Sequence, residues 1–260
     1  MSTTYWNYLK LDELLRLQRP KSDPAEHDET LFIVIHQVYE LWFKLLLHEF
    51  EKIKRNFSGN DLFGAIATFK RVRMVMKTLV SQLDILETMS PMSFTSFRDR
   101  LESASGFQSA QFRKLEFTLG YKRPEMLRHY DTAAAYYGDL VQALEEPSVV
   151  DHFYEFLGHR GAAVPAELTA RETAAATVPS GALQDELLAL YRAQQDVAIL
   201  LELMTDFDEG LQEWRYRHVK MVERTIGNKR GTGGSPGVAF LRESLFTPIF
   251  PDLWAIRDRL

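Results

Sequence analysis

Histidines are the side chains in this 260-residue chain best placed to do chemistry, and their spacing restricts what that chemistry is. They stand at His27, His36, His48, His129, His152, His159 and His218. No two are four residues apart, so the His-Glu-x-x-His zinc arrangement is missing. The residues three before them are Pro24, Ile33, Leu45, Met126, Val149, Phe156 and Arg215, which leaves no Glu-x-x-His pair for a di-iron bundle. There is no cysteine, which removes thiolate nucleophiles, iron–sulfur clusters, Cys-ligated zinc and covalent haem attachment.

What remains is histidines acting singly. His218 falls in line with Trp214, Met221, Val222 and Thr225 at helical spacing, on the apolar stripe of its segment. Two readings are open there: a core histidine with a satisfied hydrogen bond, or an axial ligand to a haem, which needs one histidine and apolar walls. His36 poses the same question, with Phe32 one turn before it and Phe43 two turns after, so that all three can line one side of a cavity. Arg98 has Phe94 and Phe97 beside it and suits bidentate capture of a carboxylate, or else pairs on the surface with Asp99 or Glu102. Residues 230–237 hold four glycines in eight. No Walker ending follows them and no strand precedes them, so they read as a loop that approaches a ligand closely or as a plain linker.

The elements that must position these residues are helices. No glycine or proline occurs in 25–58, 65–90 or 182–209, and each segment is too long for one strand. Phe32, Ile35, Tyr39, Trp42, Phe43, Leu46 and Phe50 recur at helical spacing, as do Leu62, Ile66, Phe69, Val72, Met76, Leu79, Leu83 and Leu86. A third periodic stretch runs from Phe207 to Thr225 and ends at Gly227. The spacing predicts an all-α bundle in one domain, with residues 161–181 as an irregular connector whose alanines support at most a short helix. With 31 basic against 36 acidic residues the net charge is −5, which argues against nucleic acid as a partner. The most apolar run, Leu41 to Leu47, is interrupted by Lys44 and is far short of the roughly 20 residues of a membrane span. The N-terminus lacks a basic-then-apolar leader, so a cytoplasmic protein with no membrane partner is expected.

Longer stretches of the sequence are familiar. Glu26-His-Asp-Glu-Thr-Leu-Phe-Ile-Val-Ile-His36-Gln-Val-Tyr-Glu-Leu-Trp-Phe-Lys44 resembles the opening helix of the tryptophan 2,3-dioxygenase family. Phe97-Arg-Asp, Ser105-Gly-Phe-Gln-Ser109 with Gln111-Phe-Arg113, Trp214-Arg-Tyr-Arg-His218 and Lys229-Arg-Gly-Thr-Gly-Gly234 are similar in the same order. The resemblance spans nearly the whole chain.

Carried over position by position, the resemblance implies His218 as proximal ligand of a non-covalent b-type haem. It places His36 on the distal side, hydrogen-bonding the indole N–H as an orienting group. It puts Phe32 against the indole ring, Arg98 on the amino acid's carboxylate, Thr232 at the carboxylate and amino end, and Ser105 near the distal oxygen site. Tyr5, Tyr8 and Leu9 match an N-terminal arm (residues 1–20) that reaches a neighbouring subunit of a homotetramer, and 228–237 match an active-site loop. The implied reaction inserts both atoms of O2 across the indole C2=C3 bond of L-tryptophan to give N-formyl-L-kynurenine. Two positions depart from the pattern: Phe94 stands where some relatives carry tyrosine, and Pro236 where a second serine is expected. They leave open a rival within the same superfamily, an enzyme that takes a substituted tryptophan such as a β-methyl derivative and inserts one oxygen to give an oxindole. A haem or tryptophan sensor without turnover is the reading from a different class.

Overall fold

The computed structural model describes residues 2–102, 104–229, 231 and 237–260, and among these every regular element is a helix. The arm carries α1 (Tyr5–Tyr8) and α2 (Leu11–Leu14); the body starts with α3 (His27–Ser58), α4 (Leu62–Leu86) and α5 (Pro91–Arg98). Then come α6 (Ala110–Leu119), α7 (Tyr137–Glu145), α8 (Val149–His159), α9 (Ala166–Thr169), α10 (Gly181–Ala193), α11 (Gln195–Ile226), α12 (Val238–Arg242) and α13 (Pro251–Ala255). Local chemistry sets the ends. Asp61 accepts the Gly64 N–H at the start of α4, and Ser90 accepts the Ser93 N–H at the start of α5, where Pro91 occupies the first helical position. Gly227, at φ 61°, stops α11.

Packing selects the same faces that the periodicity marks. Ile35, Tyr39, Phe43, Leu46, Phe50, Ile53 and Phe57 form the buried stripe of α3, and Leu62, Phe69, Val72, Leu79 and Leu83 that of α4. The three long helices pack side by side, α4 against both α3 and α11, and α8 and α6 close the far side of α3. By length and composition alone α3 could cross a membrane, at a mean hydropathy of 1.4, which the seven-residue run in the sequence did not disclose. Only 22% of that apolar window is buried within the chain, while Leu46, Phe50, Ile53 and Phe57 are wholly covered by neighbouring helices.

Two connections shape the path between the long helices. The uninterrupted stretch 182–209 is two helices, because Gln194 turns extended between α10 and α11 and sends its side-chain N–H to the Arg160 carbonyl. The connector 161–181 contains α9, held by the buried Leu168, and ends on Ser180, which caps α10 and donates its backbone N–H to Asp252.

The root of the arm is stapled to the outer side of α3. Glu29 accepts the Lys21 and Ser22 N–H groups and the Ser22 hydroxyl, and Gln37 exchanges hydrogen bonds with Gln18 and the Leu17 carbonyl. Burial alone would raise the Glu29 pKa, but these donors outweigh it and hold the carboxyl below the ordinary glutamate value. A carboxylate with a depressed folded pKa contributes stability above its unfolded value and loses it as pH falls through the folded one. Protonation below about pH 4.5, or Glu29→Gln at neutral pH, is therefore expected to raise hydrogen exchange at residues 17–26 selectively. Unchanged protection there in both conditions would contradict the staple.

The C-terminal segment is fixed to α11 by two buried residues seven apart. Asp208, fully inaccessible, accepts the Ile249 and Phe250 N–H groups and the Trp254 indole N–H. Arg215 donates to the Thr247 carbonyl at 2.9 Å. Asp208→Ala would leave two buried backbone donors and the partly buried Trp254 indole N–H unpaired, so a loss of about 3 kcal/mol is expected in chemical denaturation. A change under about 1 kcal/mol would show that water replaces the carboxylate.

Candidate active site

A cavity opens where α3, α6 and α11 meet, with α5 and α12 along its rim. It has two adjoining parts. The first, about 1010 Å³ and partly open to solvent, is walled by Tyr39, Phe43, Leu83, Phe112 and Trp214, with Arg113 and Arg123 at its polar end. The second, about 870 Å³, is walled by Phe32, Phe94, Arg98, Ser105, Met221 and Leu241. His36 from α3 and His218 from α11 line both parts, as do Phe107 and Gly106. The two histidines thus face one space from two helices that the sequence separates by 182 positions (218 − 36).

The surroundings decide the state of each imidazole. His36 Nδ1 lies 2.7 Å from the Phe32 carbonyl. A carbonyl only accepts, so Nδ1 carries the hydrogen and Nε2 keeps a lone pair. Burial lowers the His36 pKa, against the Phe32 hydrogen bond and the Glu40 charge, both of which favour protonation. The ring also stacks at a tilt on Phe32, centroids 4.0 Å apart. His218 has no hydrogen-bond partner among the described residues. Its ring lies parallel to that of Trp214, at 4° and 5.3 Å. Burial, helped by the nearby His36, pushes its pKa down to about 4, so the imidazole is neutral with a lone pair available.

Both flanks of this pair carry charge. Arg98 ends α5 and lines the second part of the cavity, one turn from Phe94 on the same helix. Phe32, Phe94 and Phe97 form a three-ring cluster with centroids 5.5 to 5.7 Å apart. At the opposite end, Glu116 is buried and bonded by Arg113, by Arg123 at 3.0 Å and by Arg215 at 3.3 Å. Three guanidinium groups against Glu116 and Glu40 give this end of the cavity an excess of positive charge.

The structure brings together Phe32, His36, Phe94, Arg98, Ser105 and His218. Ser105 also accepts the Phe107 N–H, holding the turn that carries Phe107 into the cavity. Tyr5, Tyr8 and Leu9 do not reach this chain's own cavity; they are 76, 75 and 40% exposed on the arm. Thr232 and Pro236 lie outside the described residues, though Gly231 and Gly237 on either side of them line the second part. Spacing alone missed Glu40, Phe107, Arg123, Arg215 and the role of Trp214. The i, i+4 interval from Trp214 to His218 was the one signal available for the last of these.

A model of the family described as tryptophan 2,3-dioxygenase matches residues 1–161 and 166–260. The chain belongs to the tryptophan 2,3-dioxygenase family. A tryptophan 2,3-dioxygenase of Herpetosiphon aurantiacus is 53% identical over 257 residues, covering 99% of this chain and 98% of its own. Those of Anaeromyxobacter sp. strain K and Kineococcus radiotolerans are 52 and 43% identical, over 99% of this chain and 96 and 91% of theirs. The chain is thus an enzyme of the tryptophan 2,3-dioxygenase type.

Proposed function

We propose that this cavity is the site of a haem-dependent dioxygenation of L-tryptophan to N-formyl-L-kynurenine, in one domain spanning the chain. The observation that carries it is the pairing of two neutral histidines across one apolar cavity with an arginine at its edge. The donor set suits a b-type haem. His218 offers one unpartnered imidazole nitrogen to an iron, the apolar walls suit a porphyrin, and the arginine-rich end suits its carboxylates. With no cysteine, attachment is non-covalent. When bound, the haem supplies the activation of O2.

The rest is done by side chains. His36 accepts the indole N–H at Nε2, the lone pair that its bond to Phe32 leaves over. Phe32 supports the face of the indole, and Arg98 holds the carboxylate, with Thr232 of the glycine-rich loop at the same end. These contacts fix which edge of the ring meets oxygen, and fixed geometry replaces the entropy cost of a chance encounter. Ser105 sits beside the oxygen side of the cavity. Burial lowers the His36 pKa, which makes its neutral imidazole a weaker base, suited to accepting a hydrogen bond and orienting the ring more than to abstracting a proton. The exposed aromatic surface of the arm supports a homotetramer in which Tyr5, Tyr8 and Leu9 cover a neighbour's cavity, and the acidic net charge supports an enzyme without nucleic-acid partners, which we place in the cytoplasm.

The test is product mass. Haem-loaded, reduced protein turned over with L-tryptophan under isotopically labelled O2 is expected to give N-formylkynurenine with two labelled oxygens. One labelled oxygen, or turnover only with a substituted tryptophan, would overturn the assignment.

A further inference from the structure

We propose that Trp214 is the positioning residue for His218, setting the plane of its imidazole by ring stacking where, among the described residues, no hydrogen bond does so. The inference rests on the reading of His218 as the iron ligand. A histidine that holds a metal usually donates its second ring N–H to a carboxylate or carbonyl, which fixes the ring about its broad last torsion. Among the described residues His218 has no such acceptor. It has instead Trp214, one turn earlier on α11, with the two rings 4° from parallel.

Trp214 is itself immobilised. Phe43 meets it edge-on at 89° and 6.3 Å, Tyr39 at 62° and 6.2 Å, and Phe112 tilts over it at 5.1 Å. Tyr39 is tied in turn across to α4 by a 2.8 Å hydrogen bond to the Leu79 carbonyl. The imidazole plane is therefore referred, through one indole, to three helices of the core. A stacked neighbour differs from an anionic acceptor in consequence as well as geometry. It leaves the ligand neutral and gives it no added basicity, so the iron keeps a weaker donor.

Two variants separate the ring plane from the volume it fills: Trp214→Phe keeps a stacking face and loses the indole N–H, and Trp214→Met fills space without a plane. Each is loaded with haem, reduced, and read by the iron–histidine stretching band and by the rate of haem transfer to haem-free myoglobin. The expected result is a band and rate preserved in the Phe variant. In the Met variant the band shifts and broadens and release is about tenfold to a hundredfold faster. A Met variant like the unsubstituted protein in both readouts overturns the proposal, as does a Phe variant as impaired as Met. His218→Ala distinguishes the parent reading, because an iron–histidine band surviving in it would refute His218 as ligand whatever Trp214 does. Should the Met variant fail to fold, a crystal structure of the unsubstituted haem-loaded protein decides. Rings still parallel with no carboxylate or carbonyl on the second imidazole nitrogen support the role, and a hydrogen-bonded imidazole turned away from Trp214 refutes it.

Discussion

His218→Ala is expected to fold and to lose the iron ligand. The His218 imidazole makes no hydrogen bond among the described residues, so its removal leaves no buried donor or acceptor stranded, which is the usual source of a large loss of stability. Its burial is unfavourable for the protonated form, and near neutral pH truncation removes a neutral ring facing open space. A stability change within about 1 kcal/mol follows from this balance. Haem affinity should instead collapse, because the other imidazole lining the described cavity, His36, keeps its free Nε2 for the indole N–H in the proposed arrangement. Absorbance titration with haem, alongside circular dichroism, separates the two effects. Added imidazole should restore a histidine-like spectrum by occupying the space left behind. A variant whose spectrum, affinity and turnover all match the unsubstituted protein would place the ligand elsewhere.

The second large effect is expected at Arg98. A guanidinium that pairs with a carboxylate in a cavity lined by Phe32 and Phe94 is partly shielded from water, and a charge-assisted pair of this kind is worth about 1.5 to 3 kcal/mol, more when its loss leaves the carboxylate unpaired. Arg98→Ala should lower kcat/KM for L-tryptophan by about 10²- to 10⁴-fold, mostly through KM. Lysine at this position should recover only part, since it offers a point charge in place of a planar fork. Tryptamine, which lacks the carboxylate, provides the internal control. The unsubstituted enzyme should discriminate strongly against it, and the Arg98→Ala variant should not, so that the two deletions do not add. Equal losses for both substrates would mean that Arg98 supports the fold and does not read the carboxylate.

The helices were legible because their determinants are local. Apolar side chains at intervals of three and four mark the buried stripes of α3 and α4, and Ser90-Pro91 and Gly227 mark where helices start and stop. The break at Gln194 was not, since nothing in its neighbours forbids continuing the helix. Only the return of α11 across α4 and the Arg160 carbonyl reward an extended residue there. The apolar length of α3 was underestimated for a related reason. Polar residues such as Lys44 and Glu49 interrupt the run in sequence while the stripe continues through space.

The candidate site divides in the same way. Residue types and their order along the chain determined which side chains could serve: two single histidines on apolar stripes, an arginine among phenylalanines, and no cysteine to compete. Pattern alone left each histidine open between core and ligand, because a helical stripe looks the same whether it meets another side chain or a cavity. Tertiary structure decided that His36 and His218 confront one another across open space, that Phe32 fixes the tautomer of the first and Trp214 the plane of the second, and that burial holds both neutral. It also gathered Arg113, Arg123 and Arg215 onto Glu116 at one end of that space. Those are relations between residues as many as 182 positions apart (218 − 36). Local spacing cannot encode them, since only the burial of apolar stripes from separate helices in one shared core brings such residues together.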